Sequence, residues 1–161
     1  MFWNRLKLGR EVNGADESSE AVCGFSAGIE TGFEVNVLAS QASWAWPAAL
    51  REVFQPRGVN LLVAEDADQF VNIIRSKRIH TTILDIDSEK SSTLTTIRII
   101  RMDYPLLPCI LLSSTAGESL LGEALRLDVF SVIGKPVNMG VLREQLNRLF
   151  LKKYSSDIFS R

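Results

Sequence analysis

Three residues of different chemistry stand directly behind three short apolar runs. Thr81-Thr82-Ile83-Leu84 leads into Asp85, Pro108-Cys109-Ile110-Leu111-Leu112 into Ser113, and Val132-Ile133-Gly134 into Lys135. A carboxylate, a hydroxyl and an ammonium gathered in one place suit the reception of a phosphoryl group. The carboxylate is then the nucleophile, the hydroxyl donates to a phosphoryl oxygen, and the lysine neutralises charge. A plainer arrangement uses the same residues: Asp85 and Lys135 as a partly buried ion pair, and Ser113 as the end of a strand. Both require a fold that brings the three together.

The elements that must do so follow from the hydrophobic pattern. Short apolar runs bounded by polar turn residues read as strands buried on both faces. They fall at residues 33–38, 59–64, 81–85, 106–112 and 129–133, and the first ends in Ala39-Ser40. A helical period follows each one. The first helix opens near Ser43, has Pro47 in its first turn, buries Trp46, Leu50, Val53 and Phe54, and stops at Pro56-Arg57-Gly58. In the second, Asp66 and Gln69 have the spacing of a capping box, with Phe70, Ile73, Ile74 and the stem of Lys77 inward. Leu94, Ile97, Ile100 and Arg101 mark the third, closed by Asp103-Tyr104-Pro105. Thr115 and Glu118 suggest another capping box, ahead of Leu120, Leu121, Ala124 and Leu125. Asn138 caps the last helix, whose seam is Leu142, Leu146, Leu149 and Phe150 and whose solvated end carries Lys152-Lys153.

Strand and helix thus alternate, and crossovers of this length force a parallel sheet with right-handed connections. The fold class is α/β: a three-layer, doubly wound (βα)5 flavodoxin-like domain, its five-stranded sheet in the order 2-1-3-4-5. In that order the carboxyl ends of strands 1, 3, 4 and 5 share one rim and carry Ala39-Ser40, Asp85, Ser113 and Lys135 to it.

Composition narrows the function classes. At 161 residues the chain is one domain by size. A formal net charge of -1 gives no electrostatic case for nucleic acid. Two cysteines, Cys23 and Cys109, make no disulfide framework and fit a reducing cytoplasm. No apolar stretch approaches the ~20 residues of a membrane span. Residues 11–32 are rich in Gly, Ser and acid without periodicity, and 1–32 reads as a flexible leader before a domain at 33–154 and a C-terminal tail at 155–161. An alternative for Met1 to Leu8 is an interfacial anchor, with Phe2, Trp3, Leu6 and Leu8 on lipid. With a tail of that size, neither an output domain nor DNA binding in cis is expected. The one histidine, His80, has no Cys or second His nearby and reads as a surface or edge residue rather than a metal ligand. Trp44 and Trp46 read as helix packing rather than a ligand box.

Residues 33–154 also resemble the receiver domain of bacterial two-component response regulators. The resemblance is carried by Ile83-Leu84-Asp85-Ile86, by Pro108 through Ser114, and by Val132-Ile133-Gly134-Lys135-Pro136-Val137. It implies that Asp85 is the phosphoacceptor, Ser113 the switch hydroxyl and Lys135 the phosphate-sensing lysine, with a cis Lys135–Pro136 bond. The chain departs from the family's pattern as well. Receivers end their first strand with an acidic pair that holds Mg²⁺, and Ala39 and Ser40 stand there instead. Glu65-Asp66 is not that pair, because too few residues separate it from Asp85 for a helix, a strand and a second helix. Asp87 alone offers a further carboxylate, a weak compensation in a metal site. The loop after Asp85 lacks the family's Pro and Gly, and Val132 replaces an aromatic often found in the fifth strand.

The expectation is an atypical, stand-alone receiver, not an enzyme, acting through protein contacts. Its phosphorylation with Mg²⁺ is impaired or absent, and it has no cofactor unless Asp85 is active. The resemblance puts the partner surface on the fourth helix, fifth strand and fifth helix, near Leu121, Arg126, Phe130 and Arg143. The partners it implies are a histidine kinase, a downstream signalling protein or a second copy through that face. Two alternatives stay open: a working phosphoacceptor at Asp85, and a small-ligand binder of the same fold. Against the second, the first turn from Ala39 to Ser43 has no glycine for phosphates.

Overall fold

The computed structural model describes residues 34–40, 46–87, 90–115 and 117–160. The 1–32 leader, Phe33, Ser43, Trp44 and the Trp46 side chain lie outside the described residues. The elements are β1 (Val35–Ser40), α1 (Trp46–Phe54), β2 (Val59–Ala64), α2 (Ala67–Ser76), β3 (Thr81–Asp85), α3 (Lys90–Asp103), β4 (Cys109–Ser113), α4 (Glu118–Arg126), β5 (Ser131–Gly134) and α5 (Met139–Tyr154). Every strand pair is parallel and the sheet order is β2-β1-β3-β4-β5, as the alternation of strand and helix predicts.

Side chains that alternate along each strand feed two separate cores. Val37 and Ala39 of β1, Ile83 of β3, Ile110 and Leu112 of β4, and Ile133 of β5 pack under α1 and α5. Leu38, Leu84, Cys109 and Leu111 face the other way, under α2, α3 and α4. The predicted seam of α5 is buried throughout, and so are Leu50 and Phe54 of α1. Cys109 is a buried free thiol, its pKa raised chiefly by burial.

The caps are mostly those expected. Asp66 Oδ1 accepts the Gln69 N–H at 2.7 Å, and the Gln69 side chain reaches back to the Glu65 N–H. Asn138 Oδ1 accepts from the Gly140 and Val141 amides. At α4 the expectation fails. Its N-cap is Gly117 with no side-chain cap bond, and the Thr115 backbone, two residues earlier, is bonded to the Ser113 hydroxyl. On the same helix only Leu120 and Ala124 are buried, while Leu121 and Leu125 are exposed, since nine residues offer only a narrow stripe to the sheet. Lys77 likewise adds no inner face: it is the exposed C-cap of α2. Gly58 ends the short helical turn after α1 at φ 68°, where a side chain would be strained.

Two further expectations are corrected. His80 is buried, not at the surface: it extends the β1–β3 pairing by one residue, its N–H bonding Asn36 O at 2.8 Å while Nδ1 accepts the Asn36 N–H at 3.1 Å. Tyr154 covers it, donating its hydroxyl to the His80 carbonyl, and burial pushes the phenol pKa up. Residues 155–160 are also part of the packed domain. Ser155 takes a left-handed cap, the chain turns back, and Phe159 buries itself between Phe54 and Phe150 at ring separations of 5.7 and 5.0 Å.

Candidate functional site

The carboxyl ends of β1, β3, β4 and β5 bring the predicted residues to one rim. β3 pairs with β1 on one side and β4 on the other, with Asp85 opposite Leu112. The Asp85 N–H donates to Ser40 Oγ at 2.9 Å, so the end of β1 meets Asp85 through a hydroxyl. Ala39 points down into the core. Glu65 and Asp66 sit beyond β2, where Asp66 caps α2. After β3, Thr93 Oγ1 donates to the Asp85 carbonyl at 3.2 Å and ties α3 to the same rim.

Asp85 itself is enclosed. Its side chain is 3% exposed, Oδ2 is ion-paired with Lys135 Nζ, and Oδ1 accepts the Asp87 N–H at 2.9 Å. Lys135 is aimed by the end of β5: its N–H bonds Ser113 O at 2.9 Å, and the Lys135–Pro136 peptide is cis, as the resemblance to receivers implies. The Ser113 hydroxyl points to its own loop, donating to Thr115 O at 2.9 Å and accepting the Thr115 N–H at 3.1 Å.

The residue that sequence reasoning undervalued is Asp87. Its carboxylate lies 3.0 Å from Lys135 Nζ, and it accepts the Ser114 N–H at 2.9 Å on Oδ2 and 3.1 Å on Oδ1. It is as much a part of the site as Asp85. A signal was available: an acid two residues beyond Asp85, facing the Ser113-Ser114 turn that follows the neighbouring strand.

Charge is shared across the three groups. Burial alone would raise the Asp87 pKa, but the bonds from Lys135 and the Ser114 amide outweigh it and hold the carboxyl below its ordinary value. For Lys135, burial lowers the pKa and the two carboxylates overcome it, so the ammonium holds its proton above its ordinary value. Among the described residues no three acidic, histidine or cysteine side chains converge as a metal site.

Residues 45–147, from just before α1 to within α5, match the family described as "Response regulator receiver domain". The chain belongs to that family. It is 31% identical over 110 residues to "Putative response regulator NtrX-like" of Rickettsia typhi, covering 65% of this chain and 23% of that protein. With the protein of the same description from Rickettsia bellii it shares 27% over 115 residues, 68% of this chain and 24% of the relative. The chain therefore spans about a quarter of the length of these curated relatives. A receiver domain structure from Pseudomonas fluorescens Pf-5 aligns with TM-score 0.69 at 19% identity, over 77% of this chain and all of that one. A receiver protein from Pseudomonas putida aligns with TM-score 0.65 at 26% identity, over 72% of this chain and 98% of that one. The fold and the family are thus those that the three strand-end motifs suggest.

The residues expected to form a partner face lie on α4, beside β5 and on α5. Leu121 and Arg126 are exposed on α4, and Phe130 is partly buried beside β5. Arg143 is engaged elsewhere: its Nε–H donates to Phe159 O at 3.2 Å, on the C-terminal turn. On α5 it is Gln145, Arg148 and Leu151 that share a cleft with Phe130 and Ser131. One helical step separates the two sides of α5, and the sequence pattern identifies its inner face but not which neighbour each flank meets. No helix among the described residues is long and apolar enough to cross a membrane.

Proposed function

We propose that this receiver is atypical: it works by binding a protein partner, and its Mg²⁺-dependent phosphorylation at Asp85 is weak or absent. The observation that carries this reading is the state of Asp85, 3% exposed, with both carboxylate oxygens engaged by Lys135 and by the Asp87 amide. The donor set supports it. Mg²⁺ takes six oxygen ligands in a near-ideal octahedron and is usually held by one or two carboxylates plus phosphate. Here the two carboxylates are shared with an ammonium, and the end of β1 adds only the Ser40 hydroxyl, itself accepting from Asp85 N–H. These residues fit a lysine better than a divalent cation. Without the metal, charge that builds up on a transferring phosphoryl group loses its main counter-charge.

In this reading the domain runs over 33–154 after a leader at 1–32, and the packed Phe159 extends it into the tail. The partner is a histidine kinase or a downstream signalling protein of a two-component system, the setting is the cytoplasm, and the chain catalyses no reaction of its own. Leu121, Arg126 and Phe130 remain the candidate contacts.

The test is chemical phosphorylation. The protein is incubated with acetyl phosphate and Mg²⁺ and followed by intact mass. The expected result is a gain well below one phosphoryl group per chain. A stoichiometric gain that Asp85→Ala abolishes overturns the reading and restores Asp85 as a working phosphoacceptor.

A further inference from the structure

The donors around Asp87 come from separate loops, and its carboxylate is their common acceptor. Lys135 Nζ follows β5 and lies 3.0 Å from Oδ2, while the Ser114 N–H follows β4 and lies 2.9 Å from Oδ2 and 3.1 Å from Oδ1. Ser113 Oγ is 3.4 Å from Oδ1, but a hydroxyl has one proton, and Thr115 O takes it at 2.9 Å. Lys135 and Ser114, the latter through its backbone N–H and its side chain, therefore hold the carboxylate, and the backbone N–H of Asp87 itself is bonded to Asp85 Oδ1. The Asp87 side chain is 26% exposed against 3% for Asp85, so the chain's own anion occupies the more open part of the pocket.

We propose that Asp87 is the internal occupant of an oxyanion pocket. Its carboxylate takes Lys135 Nζ and the Ser114 N–H, the donors a small tetrahedral oxyanion beside Asp85 would need. It thereby excludes such an anion and joins the ends of β3, β4 and β5 without an external group. This rests on the reading of weak phosphorylation above and names the residue that keeps the pocket closed. An entering phosphate must displace the charge-assisted hydrogen bonds that Asp87 makes intramolecularly with Lys135 and Ser114. Removing that competitor should therefore strengthen phosphate binding at least about tenfold.

The experiment titrates inorganic phosphate into the ¹⁵N-labelled full chain at constant ionic strength and follows the Ser114 amide. The wild-type chain is expected to show no saturable shift, and Asp87→Ala a saturable one. Asp87→Asn, which keeps the shape and loses the charge, should bind less tightly than Asp87→Ala. Adding Lys135→Met to Asp87→Ala should abolish the response. Equal binding by wild type and Asp87→Ala, or no saturation in a folded Asp87→Ala chain, overturns the proposal. If Asp87→Ala fails to fold, the comparison of wild type with Asp87→Asn decides in the same way. The wild-type chain also supplies a direct measurement. Asp85 and Lys135 are the charged groups facing Asp87 among the described residues, and the Asp87 carboxyl carbon and the Ser114 amide should titrate with one midpoint, which Lys135→Met moves upward. Separate midpoints overturn the pairing. The mass assay keeps the two readings apart. Stoichiometric phosphorylation of wild type refutes the reading of weak phosphorylation while the phosphate titration judges Asp87 on its own.

Discussion

The burial of His80 makes the stability of this domain depend on pH in a defined window. His80 is the chain's one histidine and is 3% exposed. Its Nδ1 accepts the Asn36 N–H, which only an unprotonated nitrogen can do, and the Tyr154 ring packs edge-on at 5.7 Å. Burial, with the Arg78 charge acting in the same direction, lowers its pKa from 6.5 to about 4. Between those values the unfolded chain binds the proton and the folded chain does not. Stability therefore falls as pH falls from about 6.5, and this loss is complete near pH 4. At about 1.4 kcal/mol for each pH unit across the interval, the loss reaches about 3 kcal/mol. That is a large share of the ~5–15 kcal/mol that holds a small domain together.

Urea unfolding at a series of pH values, run on wild type and on His80→Asn, measures the effect. Asparagine offers an oxygen near the position of Nδ1 and does not titrate, so the difference between the two curves removes the carboxylates and the Glu34, Arg51, Lys77 and Arg78 charges that line the neighbouring cleft. The variant is less stable at pH 7, where it has lost the ring's packing, and the gap should close as pH falls. Because there is one histidine, its imidazole signal by NMR reports the folded-state titration without assignment. Parallel unfolding curves, or an imidazole midpoint near 6.5, would refute the reasoning.

Tyr154→Phe removes the hydroxyl that bonds the His80 carbonyl and should cost about 1 kcal/mol by urea unfolding. Phe159→Ala should cost about 3–5 kcal/mol by the same measurement, because Phe159 fills the space between Phe54 and Phe150, whereas a loose tail would give no change. Asn138→Ala loses the cap on α5, with an expected cost of about 1 kcal/mol in thermal or urea unfolding.

Much of the architecture was legible because the residues that define it act locally. The apolar runs of β1, β3 and β4 and the α5 seam carry their period in the sequence, and Asp66 and Asn138 cap helices within their own first turns. What the sequence hid depends on partners distant in the chain. His80 is buried because Tyr154 lies 74 positions further on, and the tail is ordered because Phe159 finds Phe54. Thr115 had the spacing of a cap, but the helix takes Gly117 as its N-cap, and the Ser113 hydroxyl holds the Thr115 backbone in the preceding turn. Leu121 and Leu125 followed a helical period on an element too short to bury both stripes.

Asp87 shows most clearly how the site differs from a simple sum of its predicted parts. Taken alone, an acid in the loop after β3 is a weak candidate ligand. In the folded chain it meets a lysine already committed to Asp85, and the ammonium pairs with both carboxylates. Had the end of β1 carried a carboxylate in place of the Ser40 hydroxyl, it would stand with Asp85 and Asp87 around one ammonium. Like charges at that spacing raise one another's pKa unless a divalent cation is present. With Ala39 turned into the core and Ser40 supplying a neutral oxygen, Asp87 instead has its carboxyl held below its ordinary value by Lys135 and the Ser114 amide. The uncharged end of β1 and the anion in the β3 loop are thus one electrostatic solution: the first removes the repulsion that would keep the second from settling on Lys135.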